Sequence, residues 1–399
     1  MKNQKTSQRV VIRIVGASIL LMSCMISVAA EKIMIGMTAA LTGPSAALGK
    51  EMQAGIASYF HYVNSRGGVG GREVELIVKD DGYEPERAGS NMRSLLEEDN
   101  VVAIIGNVGT PTAVVTVPIA QKYKTVLFGT FSGGDVLRTI PPSRYVINYR
   151  SSYAAETAEM INGLLQSGIE PTEIAFFTQR DSYGDSGFRG AKRALEQHGF
   201  SGVSQLAHGR YTRNTINVED AVATILDAAI EPKAIIMAGG SAASAKFINL
   251  LQQELPNVLF LNLSFVDSHS LKKALGNDVE NVIVMQVVPH WNAELPIIEE
   301  YLARLQQYDV SLDPNFVSLE GYIAAKIFHH GMLKIDGEIN KENIIDGLEQ
   351  LSALDIGLGI NIELSSNDHQ AIDKLWLTYL RDGHFTLFSW DELSRMKEH

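Results

Sequence analysis

The sequence predicts an α/β fold of two doubly wound lobes, each built on a parallel sheet. Two observations carry this. Short β-branched runs alternate strictly with helical stretches along nearly the whole chain, which means parallel strands covered by helices on both faces. The runs are also too many for one comfortable sheet, and 399 residues suffice for two domains.

The first thirty residues stand apart. Lys2, Lys5, Arg9 and Arg13 occur there without any acid, followed by an apolar run from about Ile14 and the small residues Val28-Ala29-Ala30. This is the pattern of a secretory signal peptide over residues 1–30, cut after Ala30. The apolar run is short of the ~20 residues that a membrane span needs. Leu21-Met22-Ser23-Cys24 loosely matches a lipoprotein box, but Met22 fits it poorly and no polar tether follows, so lipid anchoring at Cys24 is the weaker reading. Cys24 is the sole cysteine, and the exported chain is expected to hold no disulfide. Loss of the four basic residues moves the formal net charge from −12 to −16. An acidic chain without a basic stripe argues against nucleic acid and anionic membranes as partners.

Residues 32–40 read as the first strand, 41–50 as a loop rich in Gly, Ser and Pro, and 51–64 as a helix. Gly43 and Gly49-Lys50 imitate a phosphate-binding loop, but the spacing is one residue too long and Glu51 stands where Ser or Thr should hold magnesium. A glycine-rich turn at 65–72 leads into a strand at 73–79, which ends in Asp80-Asp81. Adjacent carboxylates leaving a strand point to opposite sides, so the pair is expected to fix a loop. Pro85 then opens a helix.

The centre of the first lobe is the stretch 101–134. Residues 101–105 form a β-branched run buried on both faces, followed by the turn Asn107-Val108-Gly109 and a helix opening at Thr110-Pro111-Thr112. Thr110 is expected to cap that helix, with Pro111 as its first residue. A second buried run, 125–128, ends in another loop of small residues, 129–134. Two parallel strands thus deliver hydroxyl- and glycine-rich loops to one sheet edge, where open α/β sheets bind ligands. Amide groups at such a helix start favour a carboxylate.

The rhythm then repeats. Strands are expected at 145–149, 173–178, 203–207, 234–237, 258–262 and 282–288, and helices at 154–166, 186–198, 218–229, 242–254 and 268–275. Helical stretches follow at 293–307, 316–334 and 341–351. The chain closes with strands 375–380 and 385–389, joined through Asp382-Gly383, a strong hairpin signal. No metal-ligand spacing or nucleophile elbow occurs, and the adjacent His329-His330 cannot present one helix face. The expectation is a protein that is not an enzyme and carries neither metal nor cofactor.

Several segments together resemble the type I periplasmic binding proteins, specifically the leucine/isoleucine/valine-binding class that serves ABC importers. They are IGMTAALTGPSAALG (35–49), VNSRGGVGGREVEL (63–76), KDDGYEPERA (79–88), IIGNVGTPTA (104–113), FFTQRDSYGDSG (176–187) and SLEGYIAAK (318–326). The resemblance implies a three-strand hinge, with lobe I at 31–149 plus 287–370 and lobe II at 150–286 plus 371–399. It implies a periplasmic monomer that closes on a small carboxylated ligand, an amino acid or related organic acid or amide, and delivers it to an inner-membrane permease complex. The alternative is a ligand-sensing subunit for a receptor or histidine kinase; a hydrolase is a more distant one.

By the same resemblance Thr110 accepts the ligand carboxylate, Phe131, Ser132 and Gly133 add a second loop, and Leu48 takes a position where an aromatic is usual. Tyr183 matches a ligand-covering tyrosine, and Tyr153 lies at the first crossing. Ser264 stands where amino-acid binders carry a glutamate for the ligand ammonium, and Ser241 follows Gly239-Gly240 where an aromatic is usual. Both departures point away from an α-amino acid, unless Asp181 or Asp267 substitutes for the glutamate.

Overall fold

The computed structural model describes residues 31–276 and 279–396, the side chains of 394–396 excepted. The expected signal segment and Cys24 lie outside the described residues.

In chain order the first half contains β1 (Ile33–Ala39), α1 (Ala46–Ser65), β2 (Val74–Asp80), α2 (Pro85–Glu97), β3 (Ala103–Ile105), α3 (Thr110–Lys122), β4 (Leu127–Phe128) and β5 (Val146–Ile147). The strands form one sheet in the order β2-β1-β3-β4-β5, every pair parallel. Alternate residues of its strands enter different cores, as a doubly wound sheet requires. Ile35 and Ile105 pack in the cluster that includes Met52 and Ile56 of α1, whereas Ile104 and Leu127 join Met92, Leu95, Ala113 and Val117 of α2 and α3.

The chain continues through α4 (Tyr153–Gln166), β6 (Ile174–Gln179), α5 (Ser182–Gln197), β7 (His208–Tyr211), α6 (Glu219–Leu226), β8 (Ala234–Ala238), α7 (Ser241–Leu251), β9 (Leu259–Asn262), α8 (Ser268–Leu275) and β10 (Val282–Gln286). Next come α9 (Pro296–Tyr308), α10 (Phe316–Met332) and α11 (Lys341–Leu348). A ribbon of β11 (Leu354–Asp355) and β12 (Asn361–Ile362) precedes β13 (Trp376–Arg381), β14 (His384–Leu387) and α12 (Trp390–Met396). The second sheet has the order β14-β13-β10-β9-β8-β6-β7. It is parallel from β10 to β7, but β13 runs antiparallel to both β10 and β14. The expected Asp382-Gly383 turn makes that hairpin, both residues having positive φ.

The chain passes between the two sheets three times: after β5, after β10, and before β13. The first and third passages lie side by side, with Asn148 N–H donating to His369 O (2.8 Å) and Ala371 N–H to Asn148 O (2.9 Å). Helices α9 and α10 pack on α1 and so belong with the first sheet. α10 is apolar on nearly every face and is buried accordingly. Its crossing with α1 brings the two backbones together without side chains between them. A Cβ on Gly55 would lie 1.9 Å from Ser318 O, and one on Gly321 2.5 Å from Met52 O.

Three expectations need correction. The first helix starts at Ala46, so Leu48 is helical instead of lying in the loop. The strand expected at 203–207 is a 3-10 turn (Val203–Gln205), and the strand is His208–Tyr211. Val203 acts as a single apolar plug, while Gly209 and Tyr211 point inward beside β6; alternating burial decided the strand. Thr110 is not the cap of its helix: that position is Gly109, and Thr110 is the first helical residue.

Candidate ligand-binding site

The two loops that leave β3 and β4 run side by side. Val108 and Phe131 form a parallel bridge, Phe131 N–H donates to Asn107 O (2.7 Å), and Gly109 N–H donates to Phe131 O (3.1 Å). Gly109 has φ +101°, and a Cβ there would lie 2.2 Å from the Tyr83 ring. Only glycine fits that corner. Freed from capping, the Thr110 hydroxyl meets Ser132 Oγ at 2.7 Å, and both groups are buried. Ser132 Oγ also accepts from Gly134 N–H (3.1 Å). Tyr153 N–H, at the start of α4, donates to Gly133 O (2.9 Å) and ties the second lobe to this loop.

Aromatic rings from both sides meet over these hydroxyls. Phe265 lies 5.7 Å from Tyr83, 5.7 Å from Phe131 and 4.7 Å from Tyr183, centroid to centroid, and Tyr183 lies 5.2 Å from Tyr153. All five rings are buried. Tyr83 is held at φ +63°, a left-handed conformation that costs an ordinary residue about 1–2 kcal/mol. The Asp81 carboxylate compensates by accepting from Tyr83 N–H (2.7 Å) and from the Thr38 hydroxyl (2.9 Å). Burial pushes Asp81 up to about 6 against these bonds. Asp80 accepts from Leu41 N–H, Thr42, Gly82 N–H and Arg87. The Asp-Asp pair therefore fixes loops, as expected.

Beneath the rings lies a buried charge cluster. Arg150 is 1% exposed, and its guanidinium sits 4.1 Å above the Phe131 ring. Its Nη2 donates to Ser264 Oγ (2.8 Å), and its Nε lies 3.2 Å from Glu320 Oε1, off the hydrogen-bonding line. Among the described residues Nε and Nη1 have no hydrogen-bond partner, and the Tyr153 hydroxyl has no aligned one, with only the Ser132 side chain near it. An unmet buried donor costs about 1–3 kcal/mol. Glu156 accepts from both the N–H and the hydroxyl of Ser264, each at 2.7 Å. Burial raises Glu156 despite Arg150, and pushes Glu320 up to about 7.

Of the expected residues, Thr110, Phe131, Ser132, Gly133, Tyr153, Tyr183 and Ser264 come together in this cluster. Leu48 is buried in the core of the first lobe, and Ser241 lies beside the cluster, its hydroxyl donating to Asp267 O (3.3 Å). Sequence reasoning missed Tyr83, Arg150, Glu156, Phe265 and Glu320. A signal existed for Glu320, an acid in the first half of a helix apolar on nearly every face, which must have a partner. The His329-His330 pair is structural: His329 Nδ1 bonds Tyr59 Oη (2.9 Å), and burial lowers its pKa to about 4.

At the rim, Arg213 pairs with Glu84 across the two sides (2.8 Å) and with Asp181 on its own side (3.1 Å), while Asn214 donates to Glu84 (2.7 Å) and Gly82 O (3.1 Å). Half-buried Arg138 joins the β4 loop to the first crossing. It donates to the carbonyls of Ser132 (3.2 Å), Gly134 (3.3 Å), Arg150 (2.7 Å) and Ser151 (3.3 Å), and to Gln370 Oε1 (3.1 Å).

Residues 32–384 match the family described as "Periplasmic binding protein". A Leu/Ile/Val-binding protein homolog 7 from Brucella melitensis is 23% identical over 348 residues, 84% of each chain. The structure of a possible leucine/isoleucine/valine-binding protein from Rhodopirellula baltica is 43% identical, with a TM-score of 0.89, covering 92% of this chain and 99% of that one. A branched-chain amino acid ABC transporter from Thermus thermophilus with bound valine has the same fold at 14% identity, with a TM-score of 0.78 and coverage of 90% and 95%.

Proposed function

Because the chain belongs to the periplasmic binding protein family, we propose that it is the substrate-binding component of an ABC importer, closing two lobes over a small carboxylated ligand. The observation that carries this is the juxtaposition of Thr110 and Ser132 at one sheet edge, under rings contributed by both sides. Hydroxyls and helix-start amides there suit an anion, and the rings suit an apolar body. We take lobe I as 31–149 plus 287–370 and lobe II as 150–286 plus 371–399. Three passages between them permit hinge closure. A cleaved leader would place the protein in the periplasm, beside an inner-membrane permease complex.

The ligand of this reading lacks an α-ammonium. Ser264 is a neutral hydroxyl already bonded to Glu156 and Arg150. The carboxylates that could replace the missing glutamate are engaged: Asp181 by Gln179, Arg213 and Tyr183 N–H, Asp267 by two amides of α8, Asp81 as described, and the buried Glu156 and Glu320 by Ser264 and Arg150 respectively. An ammonium buried without a paired carboxylate is strongly unfavourable. Thermal shift and calorimetry with leucine, phenylalanine and their matching 2-oxo acids test this. The oxo acids are expected to bind at least as tightly as the amino acids; tight binding of an amino acid with none of its oxo analogue overturns it.

A further inference from the structure

The unpartnered donors narrow the ligand class further than the hydroxyl loops do. Among the described residues Arg150 Nε and Nη1 lack hydrogen bonds, the Tyr153 hydroxyl has no aligned one and only the Ser132 side chain near it, and both side chains are at most 1% exposed. Arg150 bridges the two sides of the site, touching Phe131 on one and Ser264 on the other. Burial raises the Tyr153 phenol, while the Arg150 charge and the Ser132 side chain pull it back. The acidic partner of Arg150 is Glu320, an ion pair without an aligned hydrogen bond. A guanidinium with an open edge is the side chain best shaped for a carboxylate. Tyr83, Phe131, Tyr183 and Phe265 pack on one another around it, contacts that a flat aromatic ligand would replace in kind. An aromatic cage alone would equally suit a cation, but here Arg150 already fills that place on the Phe131 face, and the nearby carboxylates Glu156 and Glu320 are committed to Ser264 and Arg150.

We propose that Arg150 anchors the carboxylate of a flat aromatic acid, with Tyr153 donating a further hydrogen bond and Glu320 acting as the counter-ion that the ligand displaces. The proposal rests on the cleft being the ligand site and adds which acid it takes and which residue holds it.

Calorimetry on the mature chain with benzoate, phenylpyruvate, benzamide and 4-methyl-2-oxopentanoate tests it. Benzoate or phenylpyruvate is expected to bind, with neutral benzamide at least thirtyfold weaker than benzoate. R150Q should lose thirtyfold or more, and Y153F, which keeps the ring, three- to tenfold. E320Q should bind the acid more tightly than the native protein while melting lower without it. A residue that only supports the fold would not produce that opposition. Should R150Q not fold, the E320Q and Y153F results decide. Aromatic-acid affinity unchanged in Y153F and weakened in E320Q overturns the proposal. So does binding of 4-methyl-2-oxopentanoate alone, which leaves the broader carboxylate reading intact. Silence from all four probes overturns both.

Discussion

At the scale of single residues, the informative groups are those whose surroundings leave something unmatched. Thr110 is one: its hydroxyl pairs with Ser132 instead of capping α3. T110A should therefore weaken acid binding by about 1.5–3 kcal/mol, one to two decades, and lower stability by only about 1 kcal/mol. Titration and urea denaturation on the same variant separate the two effects; full affinity would remove Thr110 from the site. Glu320 gives a pH signature. It faces Arg150, Glu156, Arg138 and the Tyr149 ring, and burial lifts it from the usual 4.5 to about 7. Between those values the folded state holds a proton that the unfolded state has released, so stability is fully present below 4.5 and falls as pH rises through 7. The urea midpoint of E320Q should decline less over this interval than that of the native protein. Parallel declines would show that Glu320 does not titrate there.

At the scale of elements, periodicity made most of the fold legible, and its failures have physical causes. The alternation along 234–286 gave β8, β9 and β10 and the helices between them, because strands covered on both faces are continuous apolar runs. The β7 segment was missed because it is polar and lies at a sheet edge, where only two of four residues turn inward. The hydroxyl loops were legible from Gly109 to Gly134, since special backbone positions leave glycines in the sequence. The Arg150 cluster was not, because its members come from α4, α10 and the first crossing and meet only in space. The α1–α10 contact makes an element-scale prediction. G55A and G321A push a methyl into a facing carbonyl and should each cost about 1–3 kcal/mol or more, read from urea denaturation. A G55A protein of native stability would mean that the helices can slide apart at no cost.

At the scale of the whole molecule, the rim pair Arg213–Glu84 joins the two sides outside the ring cluster. Glu84 is half-exposed, so the pair is worth only about 0.2–1 kcal/mol and is weakened by salt. E84Q should raise the radius of gyration without ligand and weaken acid binding about two- to fivefold, with both effects fading at high salt. Scattering should also show a smaller radius with a saturating acid; no change would exclude lobe closure. Arg138 has a different consequence. Four of its five bonds go to main-chain carbonyls, so the grip does not depend on which side chains occupy positions 132, 134, 150 and 151. Its remaining partner, Gln370, in turn donates to the carbonyls of Tyr149, Arg150 and Ile372. On the proposed reading, ligand preference and lobe movement would thereby be separable inheritances: descendants of this chain could exchange the side chains that meet the ligand while keeping the main-chain joint between the lobes.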